Sequence, residues 1–134
     1  MMFLHTMTDT QKNLFMKLAI KASEANGVVE LEEKNMLKAY GIEMGIKPIY
    51  ETDAKTEDII SELKEICDDK TKRIIVFEIL GIMISDSEYD EKEKAFVEEI
   101  ISAFSIPLNQ KEEMLELLTE YANVFKRISN LIFQ

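Results

Sequence analysis

Displaced by 60 residues, the chain lies over itself. Ala25-Asn26-Gly27-Val28-Val29-Glu30-Leu31-Glu32-Glu33-Lys34 falls on Ser85-Asp86-Ser87-Glu88-Tyr89-Asp90-Glu91-Lys92-Glu93-Lys94. Asn26 meets Asp86, Glu30 meets Asp90 and Glu33 meets Glu93, while Met36, Leu37, Tyr40 and Ile46 meet Phe96, Val97, Ile100 and Ile106. Any two helical hairpins share a period near 3.6 residues, so the apolar matches alone carry little weight. The polar loop positions carry more. Two such units, each with an apolar face that it cannot bury alone, are expected to pack face to face about an approximate two-fold axis.

Apolar residues recur at helical spacing along almost the whole chain, and no stretch alternates as a half-buried strand would. The expected fold class is all-α: one domain over residues 1–134, a bundle of about six helices built from those two units. Thr8-Asp9-Thr10-Gln11 has the form of a capping box, ahead of a first helix over about 9–25 that is striped with Leu14, Phe15, Leu18, Ala19, Ala22 and Ala25. A second helix carries Met36, Leu37, Tyr40 and Met44 inward and stops near Gly45, before a loop over 46–54. Ile59, Ile60, Leu63 and Ile66 line a short third helix behind Thr56. The stretch from Ile74 to Ile84 is apolar nearly all round apart from Glu78, which marks a central fourth helix.

Asp90 with Glu93 reads as an acidic capping box for a fifth helix, which faces the core with Phe96, Val97, Ile100, Ile101 and Phe104. Asn109 with Glu112 starts the last helix, over about 109–133, which carries Leu115, Leu118, Phe125, Ile128 and Ile132. The repeat units then span about 9–46 and 70–106.

With 134 residues, 46% of them hydrophobic and 31% charged, the chain is long enough to bury a core without staples. Sixteen basic against 26 acidic residues leave a net charge of −10, which repels a phosphate backbone and argues against nucleic acid as a partner. The longest apolar stretch has 11 residues, where a membrane span needs about 20, so no transmembrane segment is expected. The opening residues lack the basic region and apolar run of a signal peptide, and a cytoplasmic location follows as the expectation. Cys67 is the only cysteine; it is read as an inert, half-buried thiol that suits a reducing compartment.

Chemistry concentrates at the second loop. Asp86, Glu88, Asp90 and Glu93 place four carboxylates around a helix start, and oxygen donors at such density suit Ca²⁺ or Mg²⁺. Asp86-x-Glu88-x-Asp90 is spaced like the opening of an EF-hand loop but lacks the glycine at position 6 and the glutamate at position 12. The same residues also serve a plain helix start, with Asp90 capping and Glu91 and Glu93 complementing the positive end. The first loop offers Asn26, Glu30 and Glu33, which helix packing would bring toward the second cluster.

In these loops the chain resembles the tellurite-resistance TerB-like family, whose pattern is an Ala-Asp-Gly turn followed by an acidic residue and a glutamate. Ala25-Asn26-Gly27 with Glu30 and Glu33 gives the first copy and Ser85-Asp86-Ser87 with Asp90 and Glu93 the second, across residues 15–46 and 75–106. Asn26 replaces the family's aspartate and Ser87 its glycine, which weakens the first loop as a metal site. The resemblance implies a helical, non-enzymatic accessory protein of tellurite and stress response. It further implies a divalent cation at the acidic positions and protein partners at a membrane-associated complex.

Nothing in the chain adds a catalytic motif. There is no glycine-rich phosphate loop, nucleophile elbow or dinucleotide fingerprint, and His5 has no second histidine or cysteine to work with. Glu78 is expected at the edge of its helix beside a lysine or arginine, and Lys70, Lys72 and Arg73 are expected to pair with Asp68 and Asp69. The methionines read as core filler. The apolar end Ile128, Leu131, Ile132, Phe133, free either to dock on the core or to form a homodimer seam, supports an alternative function, a structural protein–protein interaction module that binds no metal.

Overall fold

The computed structural model describes residues 3–27, 30–84 and 91–134, and among these every regular element is helical. A short 3₁₀ turn, Leu4–Thr6, precedes six α-helices: α1 Asp9–Asn26, α2 Glu30–Met44, α3 Thr56–Ile66, α4 Asp69–Met83, α5 Glu91–Phe104 and α6 Leu108–Ile132.

The helix starts follow the side chains ahead of them. Thr8 Oγ1 accepts from the Gln11 backbone N–H at 3.2 Å, and the Gln11 side chain accepts from the Thr8 N–H at 2.9 Å, closing the capping box. Gln11 is buried and its Nε2 also donates to the Ile66 carbonyl at 3.1 Å, which ties the start of α1 to the end of α3. Thr8→Ala is expected to lower stability by about 1 kcal/mol in a denaturant melt. Sixty residues on from Thr8, Asp68 caps α4 by accepting from the Thr71 N–H at 2.8 Å. That hydrogen bond, with Lys70 and Arg73 acting through space, holds the Asp68 carboxyl below its ordinary value. The stability it contributes is present above the ordinary value and lost as pH falls through the folded one. Lys70, Lys72 and Arg73 form no ion pair with Asp68 or Asp69 among the described residues, which corrects the pairing expected from sequence. Two further starts differ: Lys55 and Pro107, without side-chain caps, precede helices that begin at Thr56 and Leu108.

Helix ends repeat as well. α2 closes with Gly45 in the left-handed region at φ +69°, Gly45 N–H donating to Ile42 and Ile46 N–H to Gly41. At the same offset of 60, Ser105 closes α5 at φ 56°, with Ser105 N–H donating to Ser102 and Ile106 N–H to Ile101. Serine adopts this backbone at a cost of about 1 kcal/mol that glycine avoids. After α2 the chain folds back over Gly41, where a Cβ would meet the Ile46 carbonyl oxygen at 2.9 Å and the Pro48 ring at 3.1 Å. A glycine there lets the 46–55 segment lie against the helix.

The core sits between α1 and α4. α1 packs on α2, α3, α4 and α5, and α4 packs on α1, α5 and α6, so α4 shares the centre that the sequence assigned to it alone. Phe15, Met16, Leu18 and Ala19 of α1 and Ile75, Leu80 and Met83 of α4 are wholly buried. Phe15 meets Tyr40 of α2 edge-on, with ring centroids 5.3 Å apart and planes at 85°. Cys67 is also buried, and burial pushes its thiol up to about 11, so it is inert at neutral pH.

Some apolar side chains lie outside the core of the bundle. Ile66 is exposed at the end of α3, where the chain already turns toward α4. α6 buries only Leu118, with Met114 and Leu115 partly covered, while Phe125, Ile128 and Ile132 face outward. The exposed surface of 8332 Å² exceeds the roughly 7,200 Å² expected of a folded monomer of 15.5 kDa, in keeping with a helix end that leaves the body.

Candidate functional site

The acidic residues of the first loop gather in a crevice of about 440 Å³ between the end of α1, the start of α2 and the 46–55 segment. Glu24, Glu30, Glu33 and Glu51 line it, with Lys34, Tyr50 and Thr52. Lys34 Nζ lies 3.2 Å from Glu30. Partial burial first, then the charges of Glu24 and Glu30, raise the Glu33 carboxyl above its ordinary value of 4.5. Sequence reasoning placed Glu30 and Glu33 here but missed Glu24 and Glu51, which arrive from another helix and from the segment that folds back over Gly41.

Because its folded value is raised, Glu33 contributes stability below its unfolded value that is lost as pH rises through the folded one. Glu33→Gln is therefore expected to stabilise the fold at pH 7 by about 0.2–0.5 kcal/mol, the size of one helical charge pair. The gain should vanish near pH 4, and thermal melts of the two proteins at both pH values check it.

Of the other loop residues, Asn26 and Glu93 do not line this crevice. Asn26 ends α1 and its Nδ2 donates to the Ile82 carbonyl at 3.5 Å, linking the ends of α1 and α4. Its Oδ1 is buried and accepts no hydrogen bond among the described residues. Glu93 is buried on α5 at 2% exposure. Asp86, Glu88 and Asp90 lie outside the described residues, as does the capping box drawn from Asp90. Among the described residues no three of His, Cys, Asp and Glu converge closely enough to hold a metal ion.

Glu78 is buried at 3% exposure on α4, not at the helix edge expected for it. Its charge reaches Tyr40, and burial together with Glu78 and then Glu43 pushes the Tyr40 phenol well above its ordinary value. α1 packs on α4 and Tyr40 of α2 lies within reach of Glu78, so one carboxylate in an apolar helix ends up inside the body.

The uncovered part of α6 offers a second, apolar site. Leu117, Tyr121, Val124, Ile128 and Leu131 follow one another at steps of four and three, the 3.5-residue period of a coiled-coil seam. Leu118, Phe125 and Ile132 widen the face. Beyond Leu118 the large apolar side chains of this helix and of Phe133 are 49% to 84% exposed. Val124, Arg127, Ile128 and Leu131 frame a shallow hollow of about 320 Å³. The sequence signal was present, since Ile128, Leu131, Ile132 and Phe133 suggested a seam, but its reach back to Leu117 was not.

No protein-family model, curated protein or solved structure matches this chain. No described helix is long and apolar enough to cross a membrane.

Proposed function

We propose that the chain is a non-enzymatic helical interaction module that binds a protein partner through the distal face of α6. The observation that carries this reading is the exposed run of large apolar side chains from Leu117 to Phe133, on a helix whose first turns are anchored to the body by Leu118 and by the ion pair between Lys111 and Glu98. A face of this extent left in water is costly, at roughly 25 cal/mol per Å² of apolar surface, and marks a place of contact. The test substitutes Ile128→Glu together with Leu131→Glu. Association should be lost while the helical signal of the chain is kept; association that persists in the variant refutes the reading.

A second reading rests on the crowded carboxylates around Glu33. In a TerB-like protein with two pseudo-two-fold-related units, the acidic loops hold a divalent cation, Ca²⁺ or Mg²⁺, in a cytoplasmic stress-response role. The matched caps at Thr8 and Asp68 and the matched helix ends at Gly45 and Ser105 support the two-unit architecture. The charges of Glu24 and Glu30, which after burial help to raise Glu33, favour a cation beside them. Calorimetric titration with Ca²⁺, Mg²⁺ and Mn²⁺ is expected to give heat that weakens in Glu33→Gln and in Asp86→Asn. A flat titration with no thermal stabilisation removes this reading.

A further inference from the structure

We infer that the partner of α6 is a second copy of this chain, aligned antiparallel along the exposed face. This rests on the reading of α6 as an interaction face and names what covers it.

The face is complementary to itself. Val124, Arg127, Ile128 and Leu131 stand at i, i+3, i+4 and i+7, the four positions that frame a hole for one knob from a facing helix. Three of the side chains that frame this hole, Val124, Ile128 and Leu131, belong to the same row that supplies knobs. Reversed about a point between Val124 and Phe125, the face lays Leu117 on Ile132, Leu118 on Leu131, Tyr121 on Ile128 and Val124 on Phe125, apolar on apolar.

Charge chooses the direction. Residues 108–120 of α6 hold one lysine against four glutamates, whereas residues 121–134 hold Lys126 and Arg127 and no acidic residue. The proximal half carries −3 and the distal half +2. An antiparallel pair sets each distal half against the other's proximal half and brings Arg127 within a turn of Glu120 of the second copy. It also opposes the two helix dipoles. A parallel pair would lay like charge on like and bring two acidic bodies of total charge −10 each side by side.

Tyr121, Val124, Phe125, Ile128, Leu131, Ile132 and Phe133 are each about half exposed or more, a row of large side chains able to supply much of the roughly 800 Å² per partner of a standard interface. The far end also has a destination. An apolar groove of about 360 Å³, lined by Phe3, Ile74, Phe77 and Met114 with Lys70 and Arg73 at its rim, adjoins the start of α6 where the end of the second helix arrives.

The experiment is sedimentation of the full chain over a concentration series to about 200 µM, a range that reveals micromolar dissociation constants, together with cysteine cross-linking in a Cys67→Ser background. A dimer mass is expected. Val124→Cys should cross-link to itself, and a mixture of Leu117→Cys with Ile132→Cys should cross-link, while Ile132→Cys alone should not. Lys126→Glu with Arg127→Glu should weaken the dimer about tenfold at low salt, leaving the helical signal unchanged. Self-linking by Ile132→Cys without the mixed product overturns the antiparallel arrangement. A monomer mass throughout overturns the second copy. In that case, labelling of Ile128→Cys separates the two ideas: free reaction leaves α6 open to another protein, and protection ends both.

Discussion

Phe15→Ala is expected to lower the thermal midpoint by about 10–15 °C, corresponding to a loss of roughly 3–5 kcal/mol for a chain of this size. The ring is wholly buried in α1, the helix that touches four of the other five, and it stands edge-on to Tyr40 of α2. Its removal takes away transfer energy and the aromatic pair, and leaves a cavity that helices held by caps at Thr8 and Gly45 cannot close. Phe15→Leu, which keeps most of the volume, should cost less than half as much. Circular-dichroism melts of the three proteins decide it, and equal midpoints for the two variants would contradict the packing described.

The second large effect concerns association. Ile128→Glu with Leu131→Glu should weaken self-association at least a hundredfold, since about 1.4 kcal/mol accounts for each tenfold and two large apolar side chains together supply more than twice that. The two positions are 50% and 69% exposed in the monomer, so glutamate there meets water and the fold should tolerate it. Sedimentation reads the first effect and far-ultraviolet circular dichroism the second. A variant that unfolds would show that these side chains pack on their own body.

Much of the architecture was legible because local chemistry decides it. Thr8 and Gln11 announce the start of α1, Gly45 announces the end of α2, and the apolar stripes of α1 and α4 fall inward as their periods require. The 60-residue offset matched Asn26, Glu30 and Ile46 with Asp86, Asp90 and Ile106 in the sequence, and the structure adds the pairs Thr8 with Asp68 and Gly45 with Ser105. Other features depend on what lies opposite. Periodicity says that α6 has an apolar face but not what covers it, and the core ends at Leu118. Glu78 was assigned to the surface because a lone charge avoids burial, and its neighbour Tyr40 lies 38 residues away in sequence.

The candidate sites divide in the same manner. Glu30 and Glu33 are one helical turn apart and were visible together, whereas Glu24 and Glu51 join them only through the close passage of the chain over Gly41. Burial of Glu93 within α5 was not legible from its spacing, which had grouped it with Asp86, Glu88 and Asp90.

The central claim is that the distal half of α6 stands clear of its own body, and the rate of thiol labelling at Ile128→Cys in the Cys67→Ser background tests it most directly. At concentrations too low for pairing, the rate should lie within about threefold of that of the denatured chain, as expected of a site open to solvent. Protection of about a hundredfold or more at the highest dilution would mean that the helix folds back onto the core, and would contradict the account.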